Sequence, residues 1–263
     1  MIDNKLVGRF LDPMGRPCLG WKTGSSIQPA IGDLFGQLIA NGEPIALSKI
    51  RMLAPIRPAK IIGIGSNYKK HIEEMGRPIP TVPKIFLKPN SSVIGPNEPI
   101  VIPPVTTRVD HEAELAIVIG RWAKCVSETE AMSVVAGFTC VNDVTARDFQ
   151  KQDKVFARAK GFDSFCPMGP WILRSNDPKP RKILCRVNGE IRQDGNTSDL
   201  LFSIPYLISF VSHVMTLFPG DVITTGTPSG VGPIHSGQTV EVDVEGVGIL
   251  SNPVIDREDR DVA

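Results

Sequence analysis

In the run Asp110-His-Glu-Ala-Glu-Leu-Ala-Ile-Val-Ile-Gly120, every residue from Ala113 to Ile119 is apolar except Glu114. A near-continuous apolar stretch reads as a strand covered on both faces, because a strand with one wet face alternates. The rest of the chain must therefore supply a covering layer on each side of it. Side chains two apart on a strand point the same way, so Glu112 and Glu114 share a face with Ala116 and Val118. Two carboxylates in an apolar wall lose hydration and repel each other unless a cation neutralises them. Oxygen ligands on one rigid strand suit a hard divalent ion such as Mg²⁺. On spacing alone the alternative stays open: the strand end reaches water and the pair is simply hydrated.

The chain has 23 Pro and 24 Gly among 263 residues, and helical periodicity is scarce. That predicts a mixed α/β, β-rich fold with many turns. Residues 1–55, short apolar stretches broken by Gly and Pro, read as a small N-terminal subdomain ahead of a main domain over 56–263. With 29 basic and 28 acidic residues the chain carries no electrostatic footprint for nucleic acid or anionic membrane. No apolar run approaches spanning length, and Met1-Ile-Asp-Asn-Lys5 lacks the pattern of a signal peptide. The 5 cysteines are widely spaced without a Cys-x-x-Cys, which argues against disulfides or a thiolate zinc site and points to a cytoplasmic protein.

Along the chain, Lys60-Ile-Ile-Gly-Ile-Gly65 opens the main domain as a buried strand. Asn67 is expected to cap a short helix ending near Met75, with Gly76 as its stop. The proline-rich stretch 76–84 reads as a loop, Ile85-Phe86-Leu87 and Val101-Ile102 as short strands, and 112–119 as the glutamate strand. A capping box at Ser127-Glu-Thr-Glu130 predicts a helix through Ala136, ended by Gly137, before a strand over Phe138-Thr-Cys-Val-Asn142. Asn188-Gly189 predicts a type I′ hairpin between strands 182–187 and 190–193. An amphipathic helix is expected over 203–216, a last strand over Thr239–Val244, and a frayed charged tail from Asp256.

Asp143 directly follows the strand 138–142, where a carboxylate can turn back into a site built by the sheet. Alone it reads as a turn or N-cap; with the glutamates it makes a third ligand and leaves positions open for substrate and water. His71 and Glu74 lie on one face of the short helix, where a carboxylate can fix an imidazole's tautomer for proton transfer. An acidic stretch beside a surface histidine would look the same. Lys160, in a short polar and aromatic segment, could stabilise an oxyanion or be an ordinary solvated lysine. Thr224-Thr-Gly-Thr-Pro-Ser-Gly-Val-Gly232 could hold a carboxylate through its amides and hydroxyls, or be a plain tight turn. Gly63-Ile-Gly65 lacks the third glycine of a dinucleotide fold, since Tyr68 stands in its place.

Several segments occur in an order that resembles the fumarylacetoacetate hydrolase family. They are Gly63-Ile-Gly-Ser-Asn-Tyr-Lys-Lys-His71, Phe86-Leu-Lys-Pro89, Asp110-His-Glu-Ala-Glu-Leu115, Asn142-Asp-Val-Thr-Ala-Arg-Asp148, Lys160-Gly-Phe-Asp163, Met168-Gly-Pro-Trp171, Val187-Asn-Gly-Glu190 and Pro219-Gly-Asp through Thr225-Gly-Thr-Pro228. The resemblance runs from Lys60 to Asn252 and implies a mixed β-sandwich roll that assembles as a dimer or higher oligomer. It implies Mg²⁺, Mn²⁺ or Ca²⁺ held by Glu112, Glu114 and Asp143, and substrate contacts from Arg147, Gln150, Lys160 and Thr227. His71 and Glu74 match a pair that smaller members carry on a mobile lid, with 76–84 as part of that lid. The segment before Gly63 is short and Ser66-Asn67 stands where larger members add an aspartate, which points away from fumarylacetoacetate itself.

The resulting expectation is a metal-dependent enzyme acting on small 2-oxo (di)carboxylic acids by C–C bond hydrolysis or decarboxylation, of the acylpyruvate hydrolase or oxaloacetate decarboxylase type. Two rivals share the fold: an isomerase of 2-hydroxyhepta-2,4-diene-1,7-dioate and an oxaloacetate keto–enol tautomerase. A rival of another class is a protein that binds a metal–dicarboxylate complex without turnover, and the three carboxylates could also form a structural ion site.

Overall fold

The computed structural model describes residues 3–76 and 78–257. Among these residues the strands form a thirteen-stranded sheet, a five-stranded sheet and a three-stranded sheet. The Ala113–Ile119 strand lies inside the largest one, antiparallel to Val135–Asn142 on one side and to Val222–Thr224 on the other. Both faces are covered, as its composition requires. Leu115 and Ile117 join a core shared with Phe138, with Ile183, Val242 and Leu250 of the five-stranded sheet, and with Leu207 and Val211 of the Ile204–Val214 helix. Ala116 and Val118 face a second core with Val141, Met168 and Ile172, against which Leu34 and Phe35 pack. This is the β-rich sandwich expected, with few helices.

Before residue 56 the chain forms six short strands. Leu6–Leu11 pairs with Cys166–Leu173, so these strands extend the largest sheet.

The glutamate strand is not continuous to Glu112. Extended chain over Val109–His111 pairs instead with Thr145–Ala146 and Gly232–Pro233 in the three-stranded sheet. At the seam, the Glu112 N–H donates to Asn142 Oδ1 at 2.9 Å and the Glu112 carbonyl accepts from the Asp143 N–H at 2.8 Å. These two bonds bring Glu112 and Asp143 to the same edge.

The capping box at Ser127 and Glu130 forms, but its helix is only Glu128–Ala131, followed by a tighter turn over Met132–Val134. Gly137 does not end a helix. It lies within Val135–Asn142, where a Cβ would collide with the Leu173 carbonyl oxygen of the neighbouring strand. Close approach of two strands, not a stop signal, explains that glycine. Asn67 is not a cap either. Its side chain donates to Thr225 O at 2.8 Å and accepts from the Phe202 N–H at 2.8 Å, and the helix begins at Lys69 without a side-chain cap. That helix ends at Glu74, and Gly76 just beyond it has φ +60°.

The hairpin forms as expected, with Asn188 at φ 51° and Gly189 at φ 80°. Thr239–Val244 is not the last strand, because Gly248–Asp256 returns antiparallel beside it. Pro253 and Asn252 mask that strand in the sequence, yet Leu250, Asn252 and Val254 alternate inward. Asp256 closes the strand, and residues 258–263 of the expected tail lie outside the described residues. No helix among the described residues is long and apolar enough to cross a membrane.

Candidate active site

Glu112, Glu114 and Asp143 are buried, at 5, 1 and 1 % exposure, and each offers an oxygen within 4.8 Å of the others. The strand alternation places the glutamates, and the seam turns Asp143 toward them. Lys160 Nζ donates to Glu112 Oε2 at 2.7 Å and also to Asp143, while Lys88 Nζ donates to Asp143 Oδ1 at 2.7 Å. Arg147 Nη2 lies 2.6 Å from Glu112 Oε1.

These contacts divide the acids electrostatically. Burial alone would raise the Glu112 pKa, but Lys160 and then Arg147 outweigh it and hold that carboxyl far below its ordinary value. Glu114 is pushed well above its ordinary value by burial, then by Asp143 and Glu112. Its Oε2 accepts the Gly226 N–H at 2.7 Å, and no side-chain cation among the described residues contacts it. A buried carboxylate beside two others, with oxygens converging and no cation of its own, is what an added divalent ion would complete. The donor set fits a hard cation: all oxygen and anionic, on backbone held by two sheets.

His71 lies on the Lys69–Glu74 helix, buried, with Nδ1 3.1 Å from Glu74 Oε2. Glu74 also accepts the Gly230 N–H at 3.0 Å, so the Gly-rich loop fixes the dyad's outer member. The His71 ring lines a cavity of about 20 Å³ with all three carboxylates, Lys160 and Thr227. That volume holds roughly one water. The cavity shares Arg147 and Gln150 with an outer pocket of about 520 Å³, lined also by Glu74. The structure thus brings the candidate residues from the sequence together, with Glu74 at the outer side. Thr227 stands apart in one respect. Its hydroxyl donates to Ala113 O at 2.9 Å and accepts from Gln193 Nε2 at 2.8 Å, so it would have to exchange a bond to hold a substrate oxygen.

Sequence reasoning passed over four neighbours. Lys88 is a buried cation at the end of the Lys84–Lys88 strand, marked only by the Lys-Pro ending of that apolar segment. Asp110 accepts from Arg147 Nε at 2.8 Å and from Arg108 Nε at 2.9 Å. Carrying the two-residue alternation back from Glu112 would have reached both Asp110 and Arg108. Gln193 had no signal. From the hairpin strand Glu190–Asn196 its Oε1 accepts the Ala113 N–H at 3.0 Å, opposite its bond to Thr227. The cysteines take no part: burial pushes Cys166 and Cys185 up to about 12.

The family described as fumarylacetoacetate (FAA) hydrolase, C-terminal, matches residues 60–255. Over 221 residues, 79% of this chain and 70% of the relative, the sequence is 43% identical to the human mitochondrial oxaloacetate tautomerase FAHD2A. Two solved structures superpose on nearly the whole chain. One is a 5-carboxymethyl-2-hydroxymuconate delta-isomerase from Mycobacterium smegmatis, with TM-score 0.89 and 44% identity over 96% of this chain and 100% of that one. The other is a 2-hydroxyhepta-2,4-diene-1,7-dioate isomerase from Mycobacterium marinum, with TM-score 0.90 and 40% identity over 97% of this chain and 100% of that one.

Proposed function

The chain belongs to the fumarylacetoacetate hydrolase family, and we propose that it moves a proton at the carbon beside the 2-oxo group of a small 2-oxo acid, in a divalent-metal-dependent tautomerisation or isomerisation. The observation that carries the reading is the His71–Glu74 dyad, whose ring shares one small cavity with three converging carboxylates and a lysine. The names of the relatives, a tautomerase and two isomerases, support proton transfer over bond cleavage.

Glu112, Glu114 and Asp143 would hold the ion, which when bound would polarise the 2-oxo group and make the neighbouring C–H more acidic. Arg147 and Gln150, at the mouth of the cavity, hold the substrate's carboxylate oxygens. Lys160 keeps its charge against burial because Asp143 and Glu112 face it, and it places that charge where an enolate oxygen develops. His71 takes the proton from carbon and returns it at the new position, with Glu74 fixing the tautomer through Nδ1. Phe86 and Phe156 wall the site and limit water.

C–C bond hydrolysis is the second reading, and one observation favours it: the cavity beside His71 has room for about one water. There the dyad would activate that water instead of a C–H bond.

A proton NMR time course in D₂O with Mg²⁺, following oxaloacetate, acetylpyruvate and a 2-hydroxy-dienedioate, separates the readings. The expected outcome is C3 deuterium exchange or double-bond migration without new carboxylate products, slowed about 10²- to 10⁴-fold in His71→Ala while Mg²⁺ binding persists. Acetate and pyruvate from acetylpyruvate would establish hydrolysis instead. Exchange at the wild-type rate in His71→Ala would remove the dyad from the mechanism.

A further inference from the structure

Hydrogen bonds fix the polarity of two neutral groups in the wall of the inner cavity, and they fix it in opposite senses. Gln193 lies behind that wall, fully buried, among partners that can each act in one way only. The Ala113 N–H can only donate, and it meets Gln193 Oε1 at 3.0 Å. The Pro228 carbonyl can only accept, and it meets Nε2 at 2.8 Å. The amide is therefore locked, and Nε2 also donates to Thr227 Oγ1 at 2.8 Å. The Thr227 hydroxyl in turn donates to Ala113 O at 2.9 Å, the carbonyl between Glu112 and Glu114 in the chain. A hydroxyl has one proton and two lone pairs. Thr227 has committed its proton and one lone pair to the protein, so it offers the cavity only the other lone pair. Turning the proton inward would leave a buried carbonyl unpaired. Gln150 is set the other way. Its Oε1 accepts from Arg147 Nη1 at 3.0 Å, so its NH₂ group is left to donate. Ser66, also in the wall, has no side-chain bond among the described residues, and its hydroxyl can turn to suit either kind of partner.

We propose that this pattern makes the inner cavity hold the enol tautomer of a 2-oxo acid in preference to the keto tautomer, with Thr227 accepting from the enol hydroxyl. This rests on the proton-transfer reading and adds to it which of the two interconverting forms the protein retains. The tautomers differ by one proton, which leaves C3 as the C2 oxygen gains one, and no other atom or electron is exchanged. Both forms carry the carboxylate, an acceptor suited to Gln150 Nε2 and Arg147. Only the enol carries a donor for Thr227. A bare oxygen there, keto or carboxylate, would set lone pair against lone pair or break the bond to Ala113. Glu112 and Asp143 are already engaged by Lys160, Arg147 and Lys88, and Glu114 by the Gly226 N–H, which leaves Thr227 as a neutral acceptor in the wall. A site shifts an equilibrium only by binding one form better, and the set polarity of Thr227 supplies that difference.

The test compares pyruvate with D- and L-lactate, which carry a bare oxygen and a hydroxyl on C2, by calorimetry with Mg²⁺. Thr227→Val removes the acceptor and should weaken the better-bound lactate about two- to tenfold, the worth of one neutral hydrogen bond, while pyruvate binds as before or more tightly. Thr227→Ser keeps the hydroxyl and should bind both acids as the wild type does. Thr227→Cys, whose sulfur is a weak acceptor, carries the same comparison if the valine variant folds poorly. The tautomers themselves are read by carbon NMR of oxaloacetate, ¹³C-labelled at C2, with Mg²⁺ and protein in excess. Thr227→Val should lower the bound enol-to-keto ratio by the same factor. Pyruvate weakened as much as lactate overturns the proposal, since Thr227 then donates to a bare oxygen. A bound ratio that Thr227→Val leaves unchanged also overturns it, as does failure of both lactate and pyruvate to bind the wild type. Deuterium exchange at C3 of pyruvate and oxaloacetate reports separately on proton transfer. No exchange of either, with the Thr227 dependence intact, upholds the tautomer preference and defeats the proton-transfer reading. Exchange without the Thr227 dependence does the reverse.

Discussion

Glu112 and Glu114 share a strand face but not an electrostatic fate. Glu112 is met by Lys160 and Arg147, while Glu114 accepts the Gly226 N–H and touches no side-chain cation among the described residues. Glu114→Gln keeps an acceptor for Gly226 and removes one of three buried like charges. We expect urea denaturation without metal to show stability unchanged or slightly raised, by up to about 1 kcal/mol, since a neutral group of the same shape avoids the desolvation of a charge. Calorimetry should show Mg²⁺ affinity down at least about a hundredfold, because one of three anionic ligands is gone. The glutamates were legible because charge inside an apolar strand is costly and side-chain alternation is strict. Lys88 was less so, because a single lysine at a strand end looks like any edge charge. Thr227 shows the limit from the other side: its position was readable, but not that its hydroxyl is already committed to Ala113 and Gln193.

Between elements, the site depends on contacts that are distant along the chain. Gln193 ties the hairpin of the five-stranded sheet to the site by accepting from the Ala113 N–H and donating to Thr227 Oγ1 and to Pro228 O at 2.8 Å. Gln193→Ala would strand these buried groups together, and we expect it to cost about 3 kcal/mol in urea denaturation, each unsatisfied group being worth roughly 1–3 kcal/mol. A change below about 1 kcal/mol would show that water replaces the side chain. The hairpin itself was readable from Asn188-Gly189, because turn chemistry is local. Where its strand would dock was not, because nothing in a periodicity reports a partner dozens of residues away. The same reason explains Gly137, read as a helix stop when its true constraint is a carbonyl on the next strand. Gly63, which a dinucleotide fingerprint would claim, instead makes room for the Phe86 ring beside Lys160.

In the whole molecule, the candidate ligands come from the meeting of the largest and smallest sheets, and an ion there would bind the folded chain alone. Thermal unfolding should therefore shift upward with Mg²⁺, by about 2.7 kcal/mol at a hundredfold excess over Kd, and EDTA should reverse the shift. A transition indifferent to both would argue against a metal centre. The sandwich was legible as a class because the chain holds one strand that must be covered twice and several that alternate. The order of the strands was not, since the N-terminal segment and the late Gly248–Asp256 strand join through pairings no local pattern encodes. The two cavities share Arg147 and Gln150, and this has a consequence for traffic. The inner chamber adjoins the outer one through the very residues that would grip a substrate. A substrate gripped by these two residues would stand between the three carboxylates and the outer chamber.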